Sequence, residues 1–316
     1  MALLIIKHLK KEAVSIKQTL HKRLAGWEEP RAHFPLRASD LLKKDSEFCP
    51  REHALLDMKV AVKKGSFVGT SLRMTFDHGK DTEERIRNKY LRDMAVGTWT
   101  CGVCDFPLPQ FGKAPRCKCP TCGWENWRYD EPAFSSASTG IHGHIDILLD
   151  VGSTKLRLVE LKTMAPDEFK TLVAPLAEHK ARTSLYLSLA SESSWEPSKR
   201  VNTEEATILY VSKAFGIKDD SLRAAGIKDA AFSPFKEFTI KRDDTLITTP
   251  LAKARVLKIW RDNPKVGLPC GVCVNGLSKR AQGCSVVSAC WSGSYPSVLT
   301  WPVAGEARHP GKKVVV

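Results

Sequence analysis

Two Cys-x2-Cys pairs, Cys101/Cys104 and Cys119/Cys122, stand fourteen residues apart. This spacing constrains the fold more than any other feature of the chain. Each pair forms a tight knuckle that presents two sulfurs to one tetrahedral ion. Two such pairs fit a zinc ribbon rather than a redox dithiol, for which one pair suffices. The module spans residues 96–130, a segment too short to fold without its metal. Cys117 is an additional thiol, able to replace Cys119 as a ligand. Around the pairs lie Trp99, Trp124, Trp127, Lys113, Arg116, Lys118 and Arg128. Two readings fit them. Bases of single-stranded nucleic acid stack on rings while phosphates meet cations, or the indoles pack the ribbon onto its neighbours.

The rest of the chain is long enough for a sizeable core: 316 residues, 42% of them hydrophobic. With 49 Lys and Arg against 35 Asp and Glu, the formal charge is +14, which favours an acidic partner such as nucleic acid. No apolar run of about 18 residues is present, so a membrane helix is not expected. The apolar stretch at residues 1–6 is short and lacks a basic leader, so the protein is expected to be intracellular and cytoplasmic, a phage-encoded origin included. Ten cysteines in that compartment point to metal rather than disulfides.

Periodicity predicts helices over residues 3–24, 39–62 (interrupted near Cys49-Pro50) and 77–94. Apolar, β-branched runs predict strands over 140–151 and 156–163, with a turn at Gly152-Ser153. A helix kinked at Pro175 is expected over 167–189, strands over 206–212 and 235–241, and a helix with an acidic N-cap over 243–262. No Walker-type phosphate loop occurs.

The two central strands carry the chemistry. Gly143-x-x-Asp146 lies on the first, and Glu160-Leu161-Lys162 on the second. Side chains alternate along a strand, so Glu160 and Lys162 share a face while Leu161 enters the core. If the strands pair, Asp146 lies beside Glu160. Two carboxylates and an ammonium then form one cluster. Carboxylates hold hard cations such as Mg2+ or Mn2+. A lysine beside them can orient water and offset charge on a phosphate.

This arrangement resembles motifs II and III of the PD-(D/E)xK nuclease superfamily, in its RecB-like branch. The resemblance implies an α/β, restriction-endonuclease-like mixed sheet flanked by helices. It implies Asp146 and Glu160 as Mg2+ or Mn2+ ligands, the Leu161 carbonyl as a further ligand, and Lys162 as the catalytic lysine. Upstream, Gly79-x-x-x-Glu83 resembles the G-x-x-x-E variant of the exonucleases similar to that of phage lambda, which makes Glu83 an acidic partner of the metal, with Glu84 the neighbouring alternative. Downstream, Arg182-x-x-x-Tyr186, preceded by His179, takes the place of the family's Q-x-x-x-Y. Arg for Gln departs from that pattern, yet Arg182 and Tyr186 on one helix face suit DNA contact, Arg being the stronger phosphate binder.

The remaining cysteines are split across the chain: Cys49, then Cys270, Cys273, Cys284 and Cys290. Cys49 with a C-terminal group ending in Cys284-x5-Cys290 resembles the iron–sulfur staple of AddB-type and CRISPR-associated RecB-like nucleases, as does the Ser46-x-x-Cys49-x-Arg51 run. The resemblance implies a 4Fe–4S cluster on Cys49, Cys284 and Cys290 with a fourth thiolate from Cys273 or Cys270, Cys273 being the first choice, tying the two ends together. A second zinc on Cys270, Cys273, Cys284 and Cys290, with Cys49 a buried hydrophobe, is the alternative.

The expected organisation is thus a helical N-terminal part (1–95), the inserted ribbon (96–130), a nuclease core (131–262), a C-terminal cysteine staple (263–292) and a basic tail (293–316). The expected function is metal-dependent DNA hydrolysis. An exonuclease of recombination, repair or phage DNA processing, with a recombination or replication protein as partner, is the first reading. An inactive nucleic-acid-binding adaptor and a defence-type endonuclease are the others.

Overall fold

A computed structural model of the chain describes residues 16–27, 36–44, 47–60, 67–213, 233–273, 275–292 and 297–299. Most of the helix expected over 3–24, and the tail from residue 300, lie outside these residues. The chain enters through α1 (Ile16–Leu24), β1 (Gly26–Trp27), β2 (Leu36–Arg37), α2 (Ala38–Leu41) and α3 (Pro50–Asp57). The helix expected over 39–62 is therefore two short ones. Pro50 has no N–H to donate and fits only the first turn, so α3 begins there, with Cys49 as its extended N-cap. β3 (Phe67–Val68) pairs with β1, and α4 (Thr70–Arg85) runs into a π-type turn, Ile86–Tyr90.

β4 (Val96–Cys101), β5 (Pro107–Lys113) and β6 (Trp127–Asp130) form their own antiparallel sheet, in the order β5-β4-β6. β7 (Ala133–Ser136) and β8 (Ile141–His144) follow and pair with β2 in a second three-stranded sheet. The central sheet comes next. It contains β9 (Ile147–Leu149) and β10 (Leu156–Met164) before the helices α5 (Pro166–Thr171) and α6 (Ala177–Glu192), and β11 (Val201–Ser212) and β12 (Phe235–Lys241) after them. Its order is β12-β11-β10-β9. β10 and β11 are parallel, joined by the α5–α6 crossover, and β9 and β12 run antiparallel at the edges. The chain ends through α7 (Thr248–Asp262), β13 (Leu268–Pro269), α8 (Lys279–Gln282), α9 (Val287–Trp291) and β14 (Ser297–Leu299). The architecture is a mixed α/β fold with several sheets.

The two faces of β10 explain its sequence. Leu156, Leu158 and Met164 belong to the larger core, with α6. Val159 and Leu161 belong to a second core with Ile86, Trp99, Trp127 and Tyr129. A strand covered on both sides reads as a continuous apolar run, which is why it is legible. The second half of α6 is enclosed all round: residues 183–190 are all buried. Each fully buried leucine there, such as Leu185 and Leu187, contributes about 1.5–3 kcal/mol.

Two expected elements break where a side chain or a missing N–H interrupts the ladder. The strand expected over 140–151 divides into β8 and β9, which enter different sheets, with Ile145-Asp146 between them. Here the Ile145 N–H turns to the Pro132 carbonyl (2.9 Å). The helix expected over 167–189 is not kinked but divided into α5 and α6. Pro175 brings no N–H, and the Leu176 N–H is taken by the Tyr210 hydroxyl (2.9 Å). The helix expected over 243–262 starts later, at Thr248; the Asp243 carboxylate instead caps a 3-10 turn, Asp244–Ile247, by accepting from the Thr245 N–H (3.0 Å).

Distant segments are tied by buried polar contacts. Lys253 donates to the carbonyls of Leu41 and Lys43, and Arg261 pairs with Asp57 at 2.7 Å. No helix among the described residues is long and apolar enough to cross a membrane.

Gly143 allows β8 and α6 to approach. A Cβ there would lie 2.7 Å from Cε1 of the buried Tyr186 ring. Gly143→Ala is therefore expected to destabilise the protein by about 1–3 kcal/mol, seen as a lower denaturant midpoint. Trimming the ring with Tyr186→Leu in the same chain is expected to recover part of the loss.

Candidate functional site

The register of the central sheet builds the first site. Ile147 pairs with Val159 and Leu148 with Leu158 across β9 and β10, so the next pair along the ladder is Asp146 and Glu160. Asp146 completes the turn off β8 by accepting the Leu161 N–H on Oδ2 at 2.7 Å. Glu160 and Lys162 share the face of β10 toward α6, and Leu161 is buried on the other. Lys162 Nζ lies 2.7 Å from Glu160 Oε1 and 3.6 Å from Asp146 Oδ2, and donates to the Leu161 carbonyl at 2.7 Å. Arg182, from α6, stands 3.7 Å from the same Glu160 oxygen.

Glu83 reaches this group from α4. A Cβ at Gly79 would meet Thr163 Oγ1 of β10 at 3.3 Å, so a glycine lets the helix lie close on the strand. One turn later Glu83 is half-buried beside Asp146, Lys162 and Arg87, whereas Glu84 is exposed. Glu83, not Glu84, is thus the carboxylate turned to the site. The G-x-x-x-E spacing works because the close approach and the carboxylate fall on one helix face.

The electrostatics follow from burial. Burial, then the Asp146 charge, raises the Glu83 carboxyl to about 7 against the pull of Lys162 and Arg87. The same two causes raise Glu160 to about 7, and its carboxylate is 1% exposed. Its Oε2 is buried with no hydrogen-bond partner among the described residues. Lys162 is held firmly protonated: burial opposes its charge, but Asp146 and Glu160 outweigh it. Carboxylates are the donor type a hard cation takes, but Glu83, Asp146 and Glu160 are not gathered within 4.8 Å of one another as the ribbon thiols are. The Leu161 carbonyl is committed to Lys162 in this arrangement, so a cation bound there competes with the ammonium.

Three residues of this site, Arg87, Glu131 and Tyr210, were not singled out from the sequence for a role in it. Arg87, one turn after Glu83, pairs with Glu131 and donates to the Asp146 carbonyl (3.4 Å). His179 Nδ1 lies 2.7 Å from the Tyr210 hydroxyl. That hydroxyl already accepts from the Leu176 N–H, so its own proton goes to Nδ1 and the imidazole carries its hydrogen on Nε2. Arg87 had an i, i+4 signal; Glu131 and Tyr210 had none. Tyr186 is a correction to the expectation of DNA contact. It is 8% exposed and stacked under Gly143, so it supports the site from below.

The ribbon forms the second site. Cys101 and Cys122 sulfurs are 3.5 Å apart, Cys104 and Cys119 sulfurs 3.6 Å, and all four lie within 4.8 Å of one another. Ligands at 2.3 Å from a tetrahedral ion stand about 3.8 Å apart, so the quartet fits one. Burial opposes ionisation of Cys119, but the N–H groups of Cys122 and Thr121 bring its thiol down to about 6. The four cysteines can hold a metal ion. Cys117 is exposed and outside the quartet. Trp99 and Trp127 are buried, their indole N–H groups bonded to the carbonyls of Gly112 and Cys117.

The third site is a small cavity, about 10 Å³, lined by Cys49, Cys273, Cys284, Cys290, Glu52 and Trp291, among others. Cys270 does not line it. Burial raises the thiols of Cys49 to about 11 and Cys284 to about 12. Around the cavity, Arg280 pairs with Glu52 at 2.6 Å, and Arg51, fully buried, bonds to Cys290 and the Pro269 carbonyl. The sulfurs here are not gathered as closely as in the ribbon, which among the described residues is the one such group within 4.8 Å.

No protein-family model matches this chain, and no curated protein matches it. A solved structure described as the crystal structure of SSO0001 shares 14% identity, covering 77% of this chain and 82% of its own, with a TM-score of 0.30. At that score the likeness supports no conclusion about fold or activity.

His179 gives this site a measurable signature. Burial, then Lys162 and Arg182, lower its imidazole to about 4 from 6.5. The unfolded chain therefore binds more protons than the folded one between pH 6.5 and 4. The stabilisation is complete above pH 6.5 and is lost as pH falls through that window, by at most about 3 kcal/mol. His179→Gln is expected to flatten this part of the stability–pH curve, as measured by urea unfolding.

Proposed function

We propose that this protein is a divalent-metal-dependent deoxyribonuclease of the PD-(D/E)xK type. The supporting observation is the convergence of Glu83, Asp146 and Glu160 on Lys162, from a helix, a strand break and a central strand. Mg2+ or Mn2+ bound there would withdraw charge from the scissile phosphate and lower the pKa of a coordinated water. Glu83, Asp146 and Glu160 would hold it. Lys162, fixed by Glu160 and the Leu161 carbonyl, orients water and donates to the phosphate as negative charge builds. Arg182, half-buried beside Glu160, supplies a second cation for the phosphate. Tyr186 and His179 hold α6 in place beneath them. Net charge favours a polyanionic substrate.

The ribbon quartet suits zinc by its all-thiolate, tetrahedral donors. Cys49, Cys273, Cys284 and Cys290 around one cavity suit a 4Fe–4S cluster better than a local zinc, because Cys49 belongs to the lining and Cys270 does not.

A second reading has its own observation. Lys162 and Arg182 already neutralise Glu160, which is also how a binding protein without turnover would stabilise a buried carboxylate.

Cleavage assays separate the two. With Mg2+ or Mn2+, loss of linear DNA is expected for the native chain and a fall of at least about 10³-fold for Lys162→Ala, with DNA affinity and folding retained. An equally active Lys162→Ala sinks the enzyme assignment, and binding without turnover under every divalent ion supports the adaptor. Degradation of closed circles would indicate an endonuclease. Metal analysis of anaerobically purified protein is expected to give zinc and iron together. Cys49→Ala should remove the iron and leave the zinc; loss of zinc alone would refute the split assignment.

A further inference from the structure

The three tryptophans of the ribbon do not share one role. Trp99 and Trp127 are 0% and 1% exposed, and their rings anchor the ribbon to the central sheet. Trp124 is 64% exposed. Its backbone is nonetheless fixed. The Cys119 N–H donates to its carbonyl at 2.8 Å, the Gly123 N–H donates to the Cys119 carbonyl at 2.9 Å, and Gly123 turns the chain at φ +76. The knuckle therefore fixes the backbone from which the indole projects into solvent, which limits the order a stacking ligand must still impose to the side chain itself.

Its cationic neighbours are sorted in the same way. Lys113 is tied to Asp150 at 2.9 Å, and Arg128 faces Asp105 at 3.4 Å. Arg116 and Lys118 are exposed and make no ion pair among the described residues. Lys118 adjoins Cys119, the backbone partner of Trp124, so ring and ammonium leave neighbouring positions of one turn. Glu125, also exposed, adds the one acidic group of the turn.

An exposed ring on the same short segment as two cations without ion pairs fits a polyanion whose bases are free to stack. Duplex bases are stacked on each other and cannot use the ring. The chain length between the ribbon turn and the carboxylate site bounds the gap a strand must cross. From Trp124 the chain returns along β6 to Glu131, whose partner Arg87 donates to the Asp146 carbonyl. Glu131 lies seven positions after Trp124, at most about 23 Å of extended chain. A strand held at the ring thus reaches the carboxylates within a few nucleotides.

We propose that Trp124, with Arg116 and Lys118, is a stacking platform for single-stranded DNA, which feeds a strand end to the Glu83–Asp146–Glu160 site. This rests on the nuclease reading for the destination of the strand, though not for its binding.

The test is anisotropy of labelled oligo(dT), oligo(U) and blunt duplex DNA with the full chain, without added Mg2+ or Mn2+, and with zinc content checked for each variant. Trp124→Ala is expected to weaken oligo(dT) binding between about fivefold and a hundredfold. Trp124→Phe should keep most of the affinity, and duplex affinity should change less than twofold. Lys118→Ala should reduce the salt slope on oligo(dT) by about 0.7. Unchanged oligo(dT) affinity in Trp124→Ala, equal losses on single strand and duplex, or binding of oligo(U) alone would each overturn the platform. Because no cleavage enters the measurement, the two readings fail separately. Trp124-dependent binding by a chain that never cleaves keeps the platform and removes the nuclease; a cleaving chain indifferent to Trp124→Ala does the reverse.

Discussion

The Glu160 carboxylate is almost wholly removed from water, and much of the structure around it is what makes that tolerable. An isolated buried carboxylate is costly enough that it would simply take up a proton. Here Lys162 is bonded to it on the same strand, and Arg182 approaches from α6. Burial pushes the other way, and the Asp146 charge adds to it. The balance leaves a carboxyl poised near neutrality in a cluster of net negative donors. Such a cluster stabilises the fold poorly by itself, since buried ion pairs barely repay desolvation. Its cost is offset by the apolar surface on both faces of β10.

The scaffold holds the cluster by interruptions rather than by regular elements. The break at Ile145-Asp146 frees a carboxylate to cap the Leu161 N–H. The break at Pro175 lets α6 start where Tyr210 and His179 meet. Gly79 and Gly143 remove the Cβ atoms that would hold α4 and α6 away from β10 and β8. Each interruption sits within a few residues of a charged group, and each costs local backbone order that the two cores restore.

The cysteines divide between two physical tasks. The ribbon quartet closes a small sheet that has little core of its own beyond its packing on β9 and β10. The second set lines a cavity where residues 49–52 meet residues 271–291, and there the Glu52–Arg280 pair joins segments 228 residues apart. A contact of that separation has a large loop-closure entropy against it, which a shared ion or cluster would relieve.

Sequence by itself determined the parts that depend on local periodicity and donor chemistry. The apolar run of β10, the Asp243 cap, the Cys-x2-Cys spacing and the same-face pairing of Glu160 with Lys162 all follow from strand alternation, capping and knuckle geometry. They are properties of a few adjacent residues. Tertiary structure decided what depends on which surfaces meet. It divided one expected strand between two sheets, turned Glu83 rather than Glu84 inward, and drew Arg87, Glu131 and Tyr210 to the carboxylates. It also buried Tyr186, chose Cys273 over Cys270 for the cavity, and left Trp124 outside while enclosing Trp99 and Trp127. The reason is the same in each case: burial and charge pairing are set by neighbours distant in the chain, and no pattern within a short window records them.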